Sequence, residues 1–411
     1  MKTNYILIAV LLCAINFAHA QVSGCTDPLS VNYNPNATVN NGSCTYITLP
    51  VVPNATVNLP VTVNETSGLI FWDGSLYTHN DNTNTNLYGL NITTGVVNQT
   101  LAVTGTTNQD WEDIDQDENY IYIAETGNNV NGNRTNLRII RADKAGLLSG
   151  SPTINSINFS YSNQTSFAAT SNNNTDFDCE AIIVGTDSIY LFTKQWVSSQ
   201  TSVYSLPKTP GTHVAQLVNT YNVNGLVTGA TYLEDEKLIA LSGYSSTLQP
   251  FIYLLYDYNG TDFFSGNKRK INLNLPFHQV EGITTTNGTD FYLTNENFQQ
   301  FVINVPQRLH HFNLSAYLEN YLDDIASANN HILMQASIYI YPNPVSNILN
   351  IQGRENLSGT GYTITNVQGR QVAAGSLTAI NNTIDVAALS SGMYVLTLSG
   401  NSTGSYKLVK Q

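Results

Sequence analysis

What most constrains this chain is a unit that recurs five times between Ser67 and Glu296. In its fullest form it runs Asp110-Trp111-Glu112-Asp113-Ile114, passes Asp117 into Tyr120-Ile121-Tyr122-Ile123-Ala124-Glu125, and ends on Gly127-Asn128-Asn129. That is an acidic loop, a strand, a turn, a second strand and a Gly/Asn loop. Its relatives start at Ser67-Gly68-Leu69-Ile70, Glu180-Ala181-Ile182-Ile183, Thr228-Gly229-Ala230 and Glu281-Gly282-Ile283. Their second strands are Leu76-Tyr77-Thr78, Ile189-Tyr190-Leu191, Leu238-Ile239-Ala240 and Phe291-Tyr292-Leu293. A lone hairpin cannot bury its apolar face in water, so units repeated at this spacing have to stack on one another.

Third strands follow at Asn86 to Leu90, Leu137 to Arg141, Ser202 to Leu206, Pro250 to Tyr256 and Arg308 to Leu314. Counted from Gly68, Asp113, Ala181, Gly229 and Gly282, the starts lie 45, 68, 48 and 53 residues apart. Propeller blades repeat at roughly 40–50 residues, so the pattern predicts a β-propeller of four-stranded blades. A polar loop around Ser162 to Thr175 stretches the second interval. The fifth unit shows no fourth strand after its third, and the alternating segment Val57 to Val63, broken by Pro60, is expected to supply it and close the ring. Five blades are expected, with six as the alternative if the long interval hides a degenerate one. Leu314 to Ala328 has apolar residues at helical spacing behind Ser315, a connector helix.

Composition agrees with an all-β chain: charged residues are 11% of 411, and Asn, Thr, Ser, Gly and Tyr are abundant. The formal net charge of −13 disfavours nucleic acid and acidic surfaces as partners. Met1-Lys2, the apolar run Ile6 to Leu12 and Ala18-His19-Ala20 read as a secretory signal removed before Gln21, and no later run is long enough to span a membrane. Of the cysteines left, Cys25 and Cys44 bracket a short Asn/Gly/Pro-rich loop and are expected to pair in an oxidising compartment. Cys179 then reads as a small buried residue.

The segment Gly24 to Tyr46, with Gly-Cys-Thr-Asp-Pro at its head and Gly-Ser-Cys at its tail, resembles a small disulfide-closed module of proteins exported by type IX secretion. Asp27, Asn32, Asn34, Asn36, Asn40 and Asn41 offer oxygens suited to calcium or to Asx turns. From Ser337 onward, short strands alternate with Gly and Asn turns, the pattern of an Ig-like β-sandwich. Tyr341-Pro342-Asn343-Pro344, Asn366-Val367-Gln368-Gly369-Arg370, Leu389-Ser390-Ser391-Gly392-Met393-Tyr394 and the terminal Lys407-Leu408-Val409-Lys410-Gln411 resemble, in order, the type A C-terminal sorting domain of type IX secretion. That resemblance implies delivery by the outer-membrane machinery to the exterior or the outer cell surface. The expected organisation is signal peptide 1–20, disulfide module 21–47, propeller 48–314, connector 315–336 and sorting sandwich 337–411.

Aligning the five first strands places Ser67, Glu112, Glu180, Thr228 and Glu281 at one position. First strands line a propeller's channel, so these side chains converge, and three carboxylates together need a cation or retained protons. Glu112, Glu180 and Glu281 are the expected ligands of a hard cation, Ca2+ first. The position after the second strands (Asn80, Glu125, Thr193, Ser242, Asn295), followed by Asp81, Lys194 and Glu296, forms a second polar ring. Ser67, Thr228, Asn80, Asp81, Glu125, Lys194 and Glu296 are therefore candidate ligand contacts. Trp111, Tyr77 and Tyr122 are expected between blades as packing, and His79 as a hydrogen-bonded structural residue. No His-Glu-x-x-His helix occurs, and no Gly-x-Ser-x-Gly elbow occurs within the repeat; the one such string, Gly400 to Gly404, falls between the last two strands of the C-terminal segment rather than between a strand and a helix.

Over Gly68 to Glu296 the chain also resembles a family of secreted bacterial propellers carrying Ser-Gly-Leu, His-Asn-Asp, Asp-Trp-Glu-Asp-Ile, Gly-Asn-Asn, Asp-Cys-Glu-Ala and Leu-Phe-Thr-Lys, with a distant likeness to phytase-like and esterase-like propellers. The basic cluster of a phytase is missing. The expected function is recognition of an extracellular ligand or glycan at a cation-organised channel mouth. The rival is calcium-dependent ester or phosphoester hydrolysis there, and third comes a structural or adhesive role.

Overall fold

The computed structural model describes residues 21–81, 84–318, 320–323, 325, 338–353, 356–367, 369–400 and 404–411. The proposed signal peptide and most of the connector fall outside them. The chain divides into two compact units, Met1–Leu318 and Glu319–Gln411.

In the first unit the repeat folds into four-stranded antiparallel blades. Blade 1 comprises Thr66–Trp72, Ser75–Asn80, Asn86–Leu90 and Val97–Ala102. Blade 2 comprises Trp111–Gln116, Tyr120–Glu125, Arg138–Asp143 and Ile154–Tyr161, and blade 3 Cys179–Val184, Ser188–Thr193, Thr201–Pro207 and Gly211–Tyr221. Blade 4 comprises Leu226–Leu233, Leu238–Tyr244, Pro250–Tyr256 and Asn267–Asn272. In blade 5, Val280–Thr285, Asp290–Asn295 and Arg308–Asn313 are completed by Ala55–Asn58, which pairs antiparallel with Arg308–Asn313. Each first strand packs on the first strand of the next blade, and that of blade 5 packs on that of blade 1, so the array is a closed ring. The closing strand stops earlier than its alternation suggests: Pro60 has no N–H to donate and Val61–Val63 turns into a 3-10 helix.

The stretched interval holds a loop over 162–178 rather than a sheet. Around it, the outer strands Ile154–Tyr161 and Gly211–Tyr221 pair in parallel and fuse blades 2 and 3 into one eight-stranded sheet. A second insertion lies in blade 5, where the hairpin Phe298–Gln300 and Ile303–Val305 stands between second and third strands.

Alternation puts the apolar faces between blades. Ile70, Tyr77 and Leu87 of blade 1 meet Trp111, Ile114, Ile121, Ile123 and Ile140 of blade 2 in one buried cluster. Tyr122 and Ile139 meet Ile182, Leu191 and Tyr204 in the next. At about 25 cal/mol per Å2 and roughly 150–250 Å2 per aromatic side chain, full burial of Trp111 is worth about 4–6 kcal/mol gross. Trp111, Tyr77 and Tyr122 are thus packing residues.

The disulfide Cys25–Cys44 forms. Asn34, Asn40, Asn41 and Asp27 each accept a backbone N–H two residues ahead, and Asn32 accepts from Thr45, so the module's oxygens are used in turns. Asp27 Oδ2 also accepts the hydroxyls of Tyr46, 2.7 Å, and Tyr256, 2.5 Å, which ties the module to blade 4.

The second unit has two sheets. Ile338–Tyr341, Ile348–Gly353 and Asn381–Asp385 form one; Thr360–Asn366, Gln371–Leu377, Gly392–Gly400 and Gly404–Lys410 form the other. Leu349, Ile351, Ile364, Leu396 and Leu408 fill a single core between them, a sandwich.

Candidate functional site

The first strands of blades 2 to 5 carry a one-residue β-bulge at the same place, and that of blade 1 carries one slightly further along. The bulged residue is Glu112 between Trp111 and Asp113, Glu180 between Cys179 and Ala181, Thr228 between Val227 and Gly229, and Glu281 between Val280 and Gly282. In blade 1 the irregularity falls between Ser67 and Ile70. An extra residue re-aims the side chain it carries. Here the effect is to turn the glutamates toward the mouth while the residues after them stay in the ladder. Asp113 instead points into the channel wall, accepting from Ile114 N and Ile182 N at 2.8 Å each, so it staples two blades.

The mouth is a cavity of about 240 Å3 lined by Ser67, Asp81, Asp110, Glu112, Glu180, Lys194, Glu281 and Glu296, with Asn129, Asn172, Asn173, Trp196, Tyr244 and Gln279 around them. Six carboxylates thus face one ammonium. Lys194 Nζ lies 2.7 Å from Glu180 Oε2, 4.6 Å from the Trp196 ring centroid and 5.2 Å from that of Tyr244. Burial alone would lower Lys194, but Glu180, Tyr244, Glu281 and Asp178 raise it well above the usual lysine range, so it stays charged. Burial drives Glu112 well up, reinforced by Glu180, Asp110 and Asp178. Burial likewise brings Glu281 to about 8 against the pull of Lys194, Asp81 to about 8 with help from Glu65, and Asp110 to about 6 with help from Asp178. The cavity is short of positive charge and retains protons in its place.

The carboxylates that come closest are Glu112, Asp178 and Glu180, with ligand atoms within 4.8 Å of one another. Glu281 lines the cavity but does not belong to that group, and Asp178 takes the place expected of it. Asp178 is held from behind: its Oδ1 accepts from Asn128 N at 2.5 Å and its Oδ2 from Trp196 Nε1 at 2.7 Å.

The second ring splits by alternation. Asp81, Lys194 and Glu296 face the cavity as expected. At the preceding ring position side chains are taken up by hydrogen bonds and ion pairs: Asn80 accepts from Glu65 N and donates to Thr62 O, and Glu125 pairs with Arg138 at 2.7 Å. Ser67 lines the cavity but donates its hydroxyl to the Glu112 carbonyl, and Thr228 donates to Val280 O at 2.5 Å. Neither hydroxyl is a free ligand contact. His79 is fully buried, lowered to about 4 by burial, and stacked edge-on against Trp111, which leaves it a neutral packing residue.

Sequence reasoning missed the aromatic residues of the mouth, Trp196 and Tyr244, and the carboxylates Asp110 and Asp178 as site members. A signal was present for the latter. Two positions before Ser67, Glu112, Glu180 and Glu281, just ahead of the first strands, stand Glu65, Asp110, Asp178 and Gln279, polar in four of the five blades.

Next to the mouth, and sharing Asn173, Trp196, Tyr244 and Gln279 with it, lies a larger cavity of about 590 Å3 lined by Ser199, Asn224, Ser245, Leu248, Phe298 and Gln300 among others. One continuous groove therefore runs from an amide- and aromatic-lined end into a carboxylate-lined end.

Comparison with known proteins bears on the second unit. Residues 339–411 match the secretion system C-terminal sorting domain. The sandwich is thus a type IX sorting domain, and the chain is a secreted or outer-surface protein whose partner through that domain is the secretion machinery. No curated protein matches the chain. Among solved structures, PorZ, a surface component of the type IX secretion system of Porphyromonas gingivalis, shares 12% identity at a TM-score of 0.30 over 84% of this chain. The chain spans only 45% of that protein. Glutaminyl cyclase from Myxococcus xanthus shares 11% identity at 0.38, over 64% of this chain and 100% of its own. An exo-β-1,3-galactanase from Phanerochaete chrysosporium shares 9% at 0.39, over 87% and 98%. Among the described residues no helix is long and apolar enough to cross a membrane.

Proposed function

We propose that the propeller is an extracellular recognition module for a glycan, which lies in the groove and reaches the acidic mouth, where a hard divalent cation organises it. One observation carries this reading: the two insertions that interrupt the repeat both deliver side chains to the same groove. The loop 162–178 supplies Asn172 and Asn173, and the hairpin supplies Phe298 and Gln300. Trp196, shared by the two halves and half-buried, offers indole surface between amides and hydroxyls, the mixture that suits a sugar with one apolar face and many hydroxyls. The carboxylates disfavour polyanionic chains.

The test is retention on immobilised neutral and amino-sugar polysaccharides. Retention on at least one is expected, weakened tenfold or more by Trp196→Ala, which corresponds to about 1.4 kcal/mol. An array without any retention overturns the reading. Calcium-dependent hydrolysis of an ester or phosphoester is the second reading. Its support is that Glu112 and Glu180 lie side by side, both pushed up by burial, while only Glu180 has the Lys194 ammonium opposing that rise at hydrogen-bond distance, an asymmetry that suits acid and base roles. It requires turnover abolished by chelation; phosphate, acyl and glycosyl esters all left intact would remove it.

A further inference from the structure

We infer that the divalent cation of the mouth is held by Glu112, Asp178 and Glu180 on the floor formed by Gly127, with Lys194 as a fixed partner in the charge balance. The inference deepens the glycan reading and rests on it for purpose, though not for evidence.

Four observations combine. Glu112 is 7% exposed, and among the described residues no group hydrogen-bonds its carboxylate, which lies within 4.8 Å of those of Asp178 and Glu180. Its two neighbours are already oriented. Asp178 is braced by Asn128 N and Trp196 Nε1, Glu180 by Lys194 on Oε2, and the two carboxyl groups also hydrogen-bond to each other, a shared proton that a cation between them would replace. Gly127 is the third: a Cβ there would collide with Asp110 Oδ2 and Glu112 Oε1 together, so the missing side chain is what lets those oxygens converge. Charge is the fourth. Glu112, Asp178 and Glu180 have only Lys194 as a cationic neighbour, and Asp81, Asp110, Glu281 and Glu296 line the same cavity, so the mouth has an excess of carboxylate that a bound cation would relieve. The donors are all oxygen, which favours a hard cation such as calcium over zinc or copper.

The experiment uses the mature full chain, stripped of metal and titrated with CaCl2 alone by calorimetry, and with Tb3+ alone while tryptophan is excited. One ion per chain is expected, with sensitised terbium emission because the Trp196 indole is hydrogen-bonded to the ligand Asp178. Glu112→Gln and Asp178→Asn should each weaken calcium at least tenfold with an unchanged circular dichroism spectrum, and Glu118→Gln on an exposed turn should leave it as in the parent. Should Glu112→Gln fail to fold, the parent titration and Asp178→Asn decide. A parent chain that takes up no calcium at millimolar concentration overturns the inference, and so does Glu112→Gln binding as tightly as the parent. Failure is separable from that of the glycan reading: polysaccharide retained equally in chelator removes the cation and keeps the groove. Calcium bound by a chain that retains no polysaccharide does the reverse.

Discussion

Lys194 Nζ and Glu180 Oε2 are 2.7 Å apart with side chains 5% and 3% exposed, so the charge pair of the channel mouth is almost sealed from water. The ammonium is further confined between the Trp196 and Tyr244 rings. A buried pair broken from one side leaves an uncompensated charge, typically at a cost of about 3–5 kcal/mol. Lys194→Met should therefore destabilise the propeller by that order in urea unfolding, and adding Glu180→Gln should recover most of the loss. A single variant within about 1 kcal/mol of the parent would contradict the sealed pair.

The stability of the metal-stripped protein should fall as pH rises. Burial, followed by the charge and hydrogen bond of Glu65, brings Asp81 to about 8. Burial, partly offset by Lys194, brings Glu281 to about 8 and Glu296 to about 7. Each holds its proton more tightly folded than unfolded, where carboxyls titrate near about 4. Their contribution is complete below that value and is lost as pH climbs to about 8. Asp117, Asp143 and Asp290, all lowered, act in the opposite sense in acid, and so do His79, lowered by burial to about 4, and His310, lowered by burial to about 3, up to the ordinary histidine range, about 6.5. Above the histidine range and below the value of about 8 to which burial lowers Lys270, thermal unfolding in chelator should show a midpoint that declines from about pH 6.5 to about pH 8; a flat or rising one would contradict this assignment.

Gly127→Ala tests the floor of the cluster. The added methyl meets two carboxylates and has to displace them, a steric change of the kind that costs about 1–3 kcal/mol. Calcium binding should drop by tenfold or more. Unchanged affinity would show that Asp110 and Glu112 need not converge over Gly127.

Asp113→Ala should be far more damaging to folding than to binding. It strands the buried amides of Ile114 and Ile182, at about 1–3 kcal/mol for each unsatisfied group. Chemical denaturation should register a loss of several kcal/mol, while the folded fraction binds calcium as the parent does.

At the other end of the unit, Asp27→Ala removes the acceptor shared by Tyr46 and Tyr256. Proteolysis within residues 21–47 should accelerate about tenfold, with the propeller's melting midpoint unmoved, if local opening governs cleavage.

The blades were legible because a period-2 alternation repeated at a steady interval leaves few alternatives, and Trp111, Tyr77 and Tyr122 could be placed between blades from that alternation alone. The mouth was legible only by half. Glu112, Glu180, Glu281, Asp81, Lys194 and Glu296 lie on it, because equivalent positions in a ring converge. Asn80, Glu125, Ser67 and Thr228 share those ring positions, yet their side chains answer nearby backbone groups or arginines, a local choice that no repeat alignment encodes. Asp178 escaped notice because it stands just ahead of the first strand, outside the aligned ring position, and Trp196 because it stands in a loop. The insertions were visible as an excess of residues, but where an insertion folds depends on which neighbours it meets.

The closing strand has a consequence for the order of events. Ala55–Asn58 finds its partner only in Arg308–Asn313, some 250 residues downstream, so the first segment of the propeller to emerge remains unpaired until the last has been made. Joining ends so distant in sequence is slow compared with forming a hairpin. The ring thereby acts as a check on completeness: a chain interrupted before Arg308 presents an open blade edge on both sides of the gap, and only a full-length propeller reaches the surface with none.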